Sequence, residues 1–127
     1  MIKYYIKLIN EMNILFLDDD EKRIDTFGKK IYPDFANIVT TASTAIQYLN
    51  SIPSWDYVFL DHDLGGEQLV DSNRKDCGME VVRWIVQHKP NIDQIVVHSW
   101  NSPAGNEMVA KLRDAGYNAE YKPFGLW

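Results

Sequence analysis

Apolar and polar positions fall along the chain in blocks of changing period, and those blocks predict the elements. Asn13 to Leu17 is an apolar run that leads straight into Asp18-Asp19-Asp20, as a short buried strand does. Glu21 to Ile31 places Ile24, Phe27 and Ile31 on one helical face, and Tyr32-Pro33 stops it. Asn37 to Thr40 is a second strand. Thr41 or Ser43 caps a helix whose Ala45, Ile46 and Leu49 face inward. Asn50 to Ser54 is a loop, and Trp55 or Asp56 opens a central strand through Leu60. Leu64 to Cys77 is too polar and glycine-rich for a core element and predicts a long loop. Gly78 to His88 returns to helical period with Met79, Val82, Ile85 and Val86, and Pro90 closes it. Gln94 to Val97 is a strand. Ser102 as cap with Pro103 in the first turn starts a helix that carries Val109 and Leu112 and stops at Gly116. Asn118 to Tyr121 is the last strand.

Strands alternate with helices, which predicts parallel strands joined by right-handed crossovers, with helices on both faces of the sheet. At 127 residues the chain makes one domain. Residues 1–11 precede Met12, which itself reads as a natural start, so an N-terminal extension is expected before a domain spanning 12–127, either an upstream start or an added helix or strand.

Composition narrows the function classes. Hydrophobic residues make up 46% and charged residues 24%, which is ordinary for a folded globular domain. The net charge of -5 disfavours a sequence-blind grip on duplex nucleic acid. Cys77 is the single cysteine, so no internal disulfide forms and a reducing cytoplasm fits best. No apolar run is long enough to cross a membrane, and no secretory signal is evident.

The candidate chemistry lies where the strands end. Three adjacent carboxylates after the first strand exceed what capping a helix requires, and clustered oxygen ligands suit a hard divalent cation such as Mg²⁺ or Mn²⁺. The central strand discharges into Asp61-His62-Asp63 and the next into His98-Ser99. Neighbouring strands lie about 4.8 Å apart, so His62 and His98 are expected to bracket one phosphorus atom as general base and general acid. Asp63 is expected to orient an imidazole. Ser99 to Gly105 sets backbone N–H groups at a helix start beside them, and Trp100 there is placed to stack on a base.

Aligned by strand ends, Asp18-Asp19, Asp61, Ser99 and Lys122-Pro123-Phe124 resemble the receiver domain of two-component response regulators. The resemblance runs from about Asn13 to Phe124. It implies a flavodoxin-like doubly wound parallel five-stranded sheet of order 2-1-3-4-5, with Asp18, Asp19 and Asp61 around a divalent cation. It also implies phosphoryl contacts from Ser99 and Lys122. The receiver's last helix has no counterpart after Tyr121, unless the N-terminal segment replaces it. Asp-His-Asp, His-Ser, Arg23, Asn101 and Gly105 are similar to a narrower group, the cyclic-phosphate processing receiver-like domains. That resemblance implies a metal-assisted phosphodiesterase acting on a small phosphorylated ligand, a cyclic nucleotide or an RNA cyclic-phosphate end. Catalysis would fall to Asp61, His62, Asp63 and His98. Arg23, Ser99, Asn101, Gly105 and Lys122 would hold phosphate. The rival expectations are a stand-alone response regulator phosphorylated on Asp61 and a non-catalytic nucleotide sponge.

Overall fold

A computed structural model describes residues 12–28 and 36–125. The elements are β1 (Ile14–Leu17), α1 (Glu21–Thr26), β2 (Ala36–Val39), α2 (Ala42–Ser51), β3 (Ser54–Leu60), α3 (Gly78–His88), β4 (Asn91–Val97), α4 (Ser102–Asp114) and β5 (Ala119–Tyr121). The expected N-terminal extension, the end of the first helix at Ile31 and the Tyr32-Pro33 stop lie outside the described residues.

The sheet order is β2-β1-β3-β4-β5, and every pairing is parallel. Alternation along the strands builds two cores. Leu15, Leu17, Val58, Leu60 and Val97 face α2, α3 and α4. Ile14, Phe16, Phe59 and Val96 face the other way, where Phe27 at the end of α1 and Phe124 cover them. Among the described residues no helix follows β5.

Three boundaries differ from the sequence reading for physical reasons. β3 and β4 both begin earlier, because Ser54 pairs with Asn91 and Trp55 with Ile92. Asn91 to Gln94 looks polar along the sequence, yet Ile92 is buried between exposed Asn91 and Asp93, which is the pattern of a half-covered strand. The cap of α4 is Asn101 rather than Ser102. Its side chain accepts from the Ala104 N–H at 3.3 Å, which leaves Ser102 and Pro103 in the first turn.

The ladder carries on past the strand ends. The Asp18 N–H donates to the Val39 carbonyl, Asp61 to Leu17, His98 to Leu60 and Lys122 to Val97, at 2.9 to 3.1 Å. Asp18, Asp61 and His98 therefore lie level on one row, on the side of Phe16, Phe59 and Val96.

Gly78 starts α3 against that row. Its N–H donates to the His62 carbonyl at 2.9 Å, and a β-carbon there would overlap the Asp61 carbonyl and the His62 backbone. These are backbone atoms just past the end of β3 and cannot yield as a flexible side chain would. Gly78→Ala is expected to lower the unfolding free energy in urea by about 1–3 kcal/mol or more. An unchanged midpoint would mean that the α3 start is not seated on the end of β3.

Candidate functional site

The row begins with a charge problem. Asp18 is fully buried, and Asp61 beside it is 4% exposed. Two carboxylates at neighbouring strand ends repel, and burial raises the cost. Arg23 answers both. Asp20 caps α1 by accepting the Arg23 N–H at 3.0 Å, which sets Arg23 in the first turn, directed back at the sheet. Its guanidinium grips Asp18 through Nε at 2.8 Å and Nη2 at 3.0 Å, and Nη2 also reaches Asp61 Oδ2 at 3.5 Å.

His98 completes the grip on Asp18. Its Nε2 lies 3.1 Å from Asp18 Oδ2, and its ring stacks on Phe16 with centroids 4.8 Å apart. Burial pushes the imidazole below its ordinary value, so it is neutral and donates from Nε2. Its Nδ1 has no hydrogen-bond partner among the described residues. Burial also tends to raise Asp18, but hydrogen bonds from His98, Arg23 and the Asp20 N–H outweigh it and hold the carboxyl well below the usual range. Asp61 goes the other way. Burial first, and the Asp18 charge second, push it up to about 8, against the pull of the His62 N–H and Arg23. One guanidinium thus neutralises one carboxylate, and the second keeps its proton.

Asp63 organises the other half. Its Oδ1 accepts from His62 Nδ1 at 2.8 Å, the Val70 N–H at 3.0 Å and Asn101 Nδ2 at 3.1 Å; its Oδ2 accepts from the Leu69 N–H at 2.7 Å. Burial opposes the charge, yet these four donors hold the carboxyl below its ordinary value. The polar stretch 64–77 is therefore an ordered wall. Gly65 and Gly66 turn it with φ of 77° and 76°, a region that suits glycine, and the Gly66 N–H donates to Asp19 at 2.7 Å. Arg83 of α3 ties the far end through the Ser72 and Arg74 carbonyls.

Between this wall and the Ser99–Asn101 segment opens a cavity of about 490 Å³. Of the residues expected from sequence, Asp19, Arg23, Asp61, Asp63, Ser99 and Asn101 line it. Asp18 sits beneath Arg23. The two histidines do not line it. His62 is fully buried, held between Asp63 and Ser72 Oγ at 3.0 Å, and His98 is packed among phenylalanines. Successive residues of a strand alternate faces, so adjacent strand ends did not make these rings a pair. Gly105 packs under the Tyr121 ring, where a β-carbon would clash; its N–H donates to the Asn101 carbonyl at 2.8 Å, and it is not part of the lining. Lys122 Nζ pairs with Glu120 at 3.0 Å, half-exposed, and is not part of the lining. Trp100 lines the cavity too, as does Asp20 of the acidic cluster. The 64–77 stretch, expected as a long loop over the site, contributes Gly66, Glu67, Gln68 and Leu69, none of which the sequence singled out individually.

Asp18, Asp61 and His98 bring one ligand-type atom each within 4.8 Å of one another. As a cation site this set is already engaged. Asp18 accepts four hydrogen bonds, His98 presents a proton rather than a lone pair, and Arg23 bridges the carboxylates. Asp18, Asp61 and His98 could still hold a metal ion, and Arg23 brings positive charge to the same carboxylates.

The sequence model described as Cyclic-phosphate processing Receiver domain matches residues 13–114. The chain belongs to that family. Its fold is the flavodoxin-like receiver fold. The signal receiver domain of a protein described as a Luxo repressor from Vibrio parahaemolyticus superposes with a TM-score of 0.64 at 15% identity, covering 90% of this chain and 78% of that one. A fusion of the yeast Spc42 trimeric coiled coil to another structure gives 0.58 at 19% identity, covering 87% and 68%. No curated protein matches this receiver domain. Among its described residues no helix is long and apolar enough to cross a membrane.

The three buried groups couple stability to pH with different signs. Asp18 is depressed, so its contribution is lost only as pH falls through its low folded value. His98 is also depressed. The unfolded chain takes up that proton below about 6.5, so stability climbs toward that pH. Asp61 is raised, and the folded state keeps a proton the unfolded state has lost, so its contribution declines from about pH 4 to about 8. Between pH 6.5 and 8 only Asp61 acts among the three. In that window the unfolding free energy of the parent is expected to fall relative to Asp61→Asn. By pH 8 the difference in unfolding free energy should have moved in favour of the variant. Parallel profiles in urea titrations would mean that Asp61 is ionised in the folded state.

Proposed function

We propose that this receiver domain hydrolyses a small cyclic phosphate ester in the strand-end cavity, with Asp61 as general acid. The observation that carries the reading is a lining carboxyl raised to about 8 beside an arginine. A group poised near the working pH is what proton transfer to a leaving oxygen needs. Arg23, the Ser99 hydroxyl and the second N–H of the Asn101 amide hold the nonbridging oxygens. Water attacks phosphorus, and the bond to one ring oxygen breaks. That oxygen takes the Asp61 proton, while the Asp19 carboxylate accepts the proton of the water. The product is a phosphate monoester, and Asp61 recovers its proton from solvent.

His62 and His98 act in this reading as positioning residues, through Asp63 and Asp18. In this reading Arg23 supplies the positive charge that a divalent cation at the acidic cluster would give. Phosphorylation of Asp61 draws no support from Lys122, which pairs with Glu120 and is not among the lining residues.

The test is incubation with a panel of cyclic phosphates in ¹⁸O-labelled water, followed by mass spectrometry. One labelled oxygen is expected in a monoester product. Turnover should survive EDTA, and Asp61→Asn should lower it by roughly 10²–10⁴-fold, the usual worth of a general acid. A tightly bound ligand returned intact would make the protein a sponge. Activity abolished by EDTA would restore the cation, and a labile phosphoryl group on Asp61 would favour the regulator.

A further inference from the structure

Four large apolar side chains are exposed among the described residues: Ile38 at 36%, Tyr48 at 37%, Trp100 at 60% and Leu69 at 77%. The first two are marginal and scattered, as surface apolar residues commonly are. The two most exposed both line the strand-end cavity, Leu69 from the 64–77 wall and Trp100 from the opposite segment between Ser99 and Asn101. The rest of the lining is overwhelmingly polar, so a pair of apolar surfaces at its edge is not there to complete a core. The Trp100 ring has no aromatic partner among the described residues.

Leu69 is costly in a second way. Its φ is 52°, in the left-handed region that branched side chains seldom adopt. Glycine or asparagine would occupy that position without strain, and neither would present an apolar side chain. The conformation persists because the Leu69 N–H is held at 2.7 Å by Asp63 Oδ2, while Oδ1 of the same carboxylate holds Asn101, the neighbour of Trp100. One carboxylate therefore sets the positions of both apolar residues. Strain kept at a lining position is a pointer to a ligand.

Resting on the cyclic-phosphate reading above, we infer that Trp100 and Leu69 form a nucleobase subsite, so that the substrate class is a nucleoside cyclic phosphate rather than a base-free ester. The cavity of about 490 Å³ exceeds what a phosphate ring alone requires and lies within the range of about 300–1,000 Å³ typical of small-molecule sites. Stacking on an indole face is open to every base, so the subsite distinguishes base from no base more than one base from another. The phosphate lies toward Arg23 and Asp61, and the base toward the open side.

The experiment compares adenosine 2′,3′-cyclic phosphate, uridine 2′,3′-cyclic phosphate and glycerol 1,2-cyclic phosphate, by calorimetry and by turnover. Both nucleosides are expected to bind roughly 5- to 150-fold tighter than the base-free ester, the range that stacking on one aromatic side chain spans. Trp100→Ala should remove that advantage and leave the glycerol ester unchanged, while Trp100→Phe keeps most of it. Leu69→Gly should weaken nucleoside binding while raising the melting temperature, a split that a merely structural leucine would not produce. Equal binding of all three esters by the parent overturns the subsite and leaves the cyclic-phosphate reading standing. No binding of any of them overturns both.

Discussion

Everything at this site depends on the guanidinium of Arg23 lying between two carboxylates that the sheet brings level. Parallel pairing fixes Asp18 and Asp61 on one row, and burial makes their mutual repulsion expensive. A single cation satisfies Asp18 with two hydrogen bonds and touches Asp61 with a longer one. That imbalance, added to burial, is what raises the Asp61 carboxyl. Two carboxylates share one cation at the foot of the cavity.

Asp63 plays the equivalent part for the walls. Its four hydrogen bonds gather His62, the 64–77 stretch and the Asn101 amide around one carboxylate. Gly65-Gly66 and the Gly66–Asp19 bond bring the same stretch back toward the first strand. A long loop would ordinarily be a mobile lid. Here it is bonded at both ends and in the middle, and the cavity has a shape of its own. The histidines that looked most reactive serve this scaffold, one under each carboxylate.

The resulting site departs from what a signalling receiver would need. A phosphoacceptor aspartate benefits from a nearby cation set and a lysine directed at the phosphoryl group. In this domain Arg23 occupies the acidic row and Lys122 answers Glu120. The same sheet with the same acidic strand ends therefore carries a different distribution of charge, and function is argued from that distribution rather than from the fold.

The order of apolar and polar blocks was sufficient for the helices and strands, because each buries one face and repeats with its own period. The residue types at the strand ends marked the site for the same reason: burial never requires Asp-His-Asp. Sequence also carried the family, through Arg23, Asp61-His62-Asp63 and His98-Ser99 in their spacing. What only the folded chain decided was which of these face the cavity. Alternation sends His62 and His98 to different surroundings although their strands are neighbours, and packing on Phe16 withdraws one of them altogether. The raised pKa of Asp61 was likewise invisible along the chain. It follows from burial first, and then from a carboxylate 43 residues away in sequence being placed beside it (61 less 18).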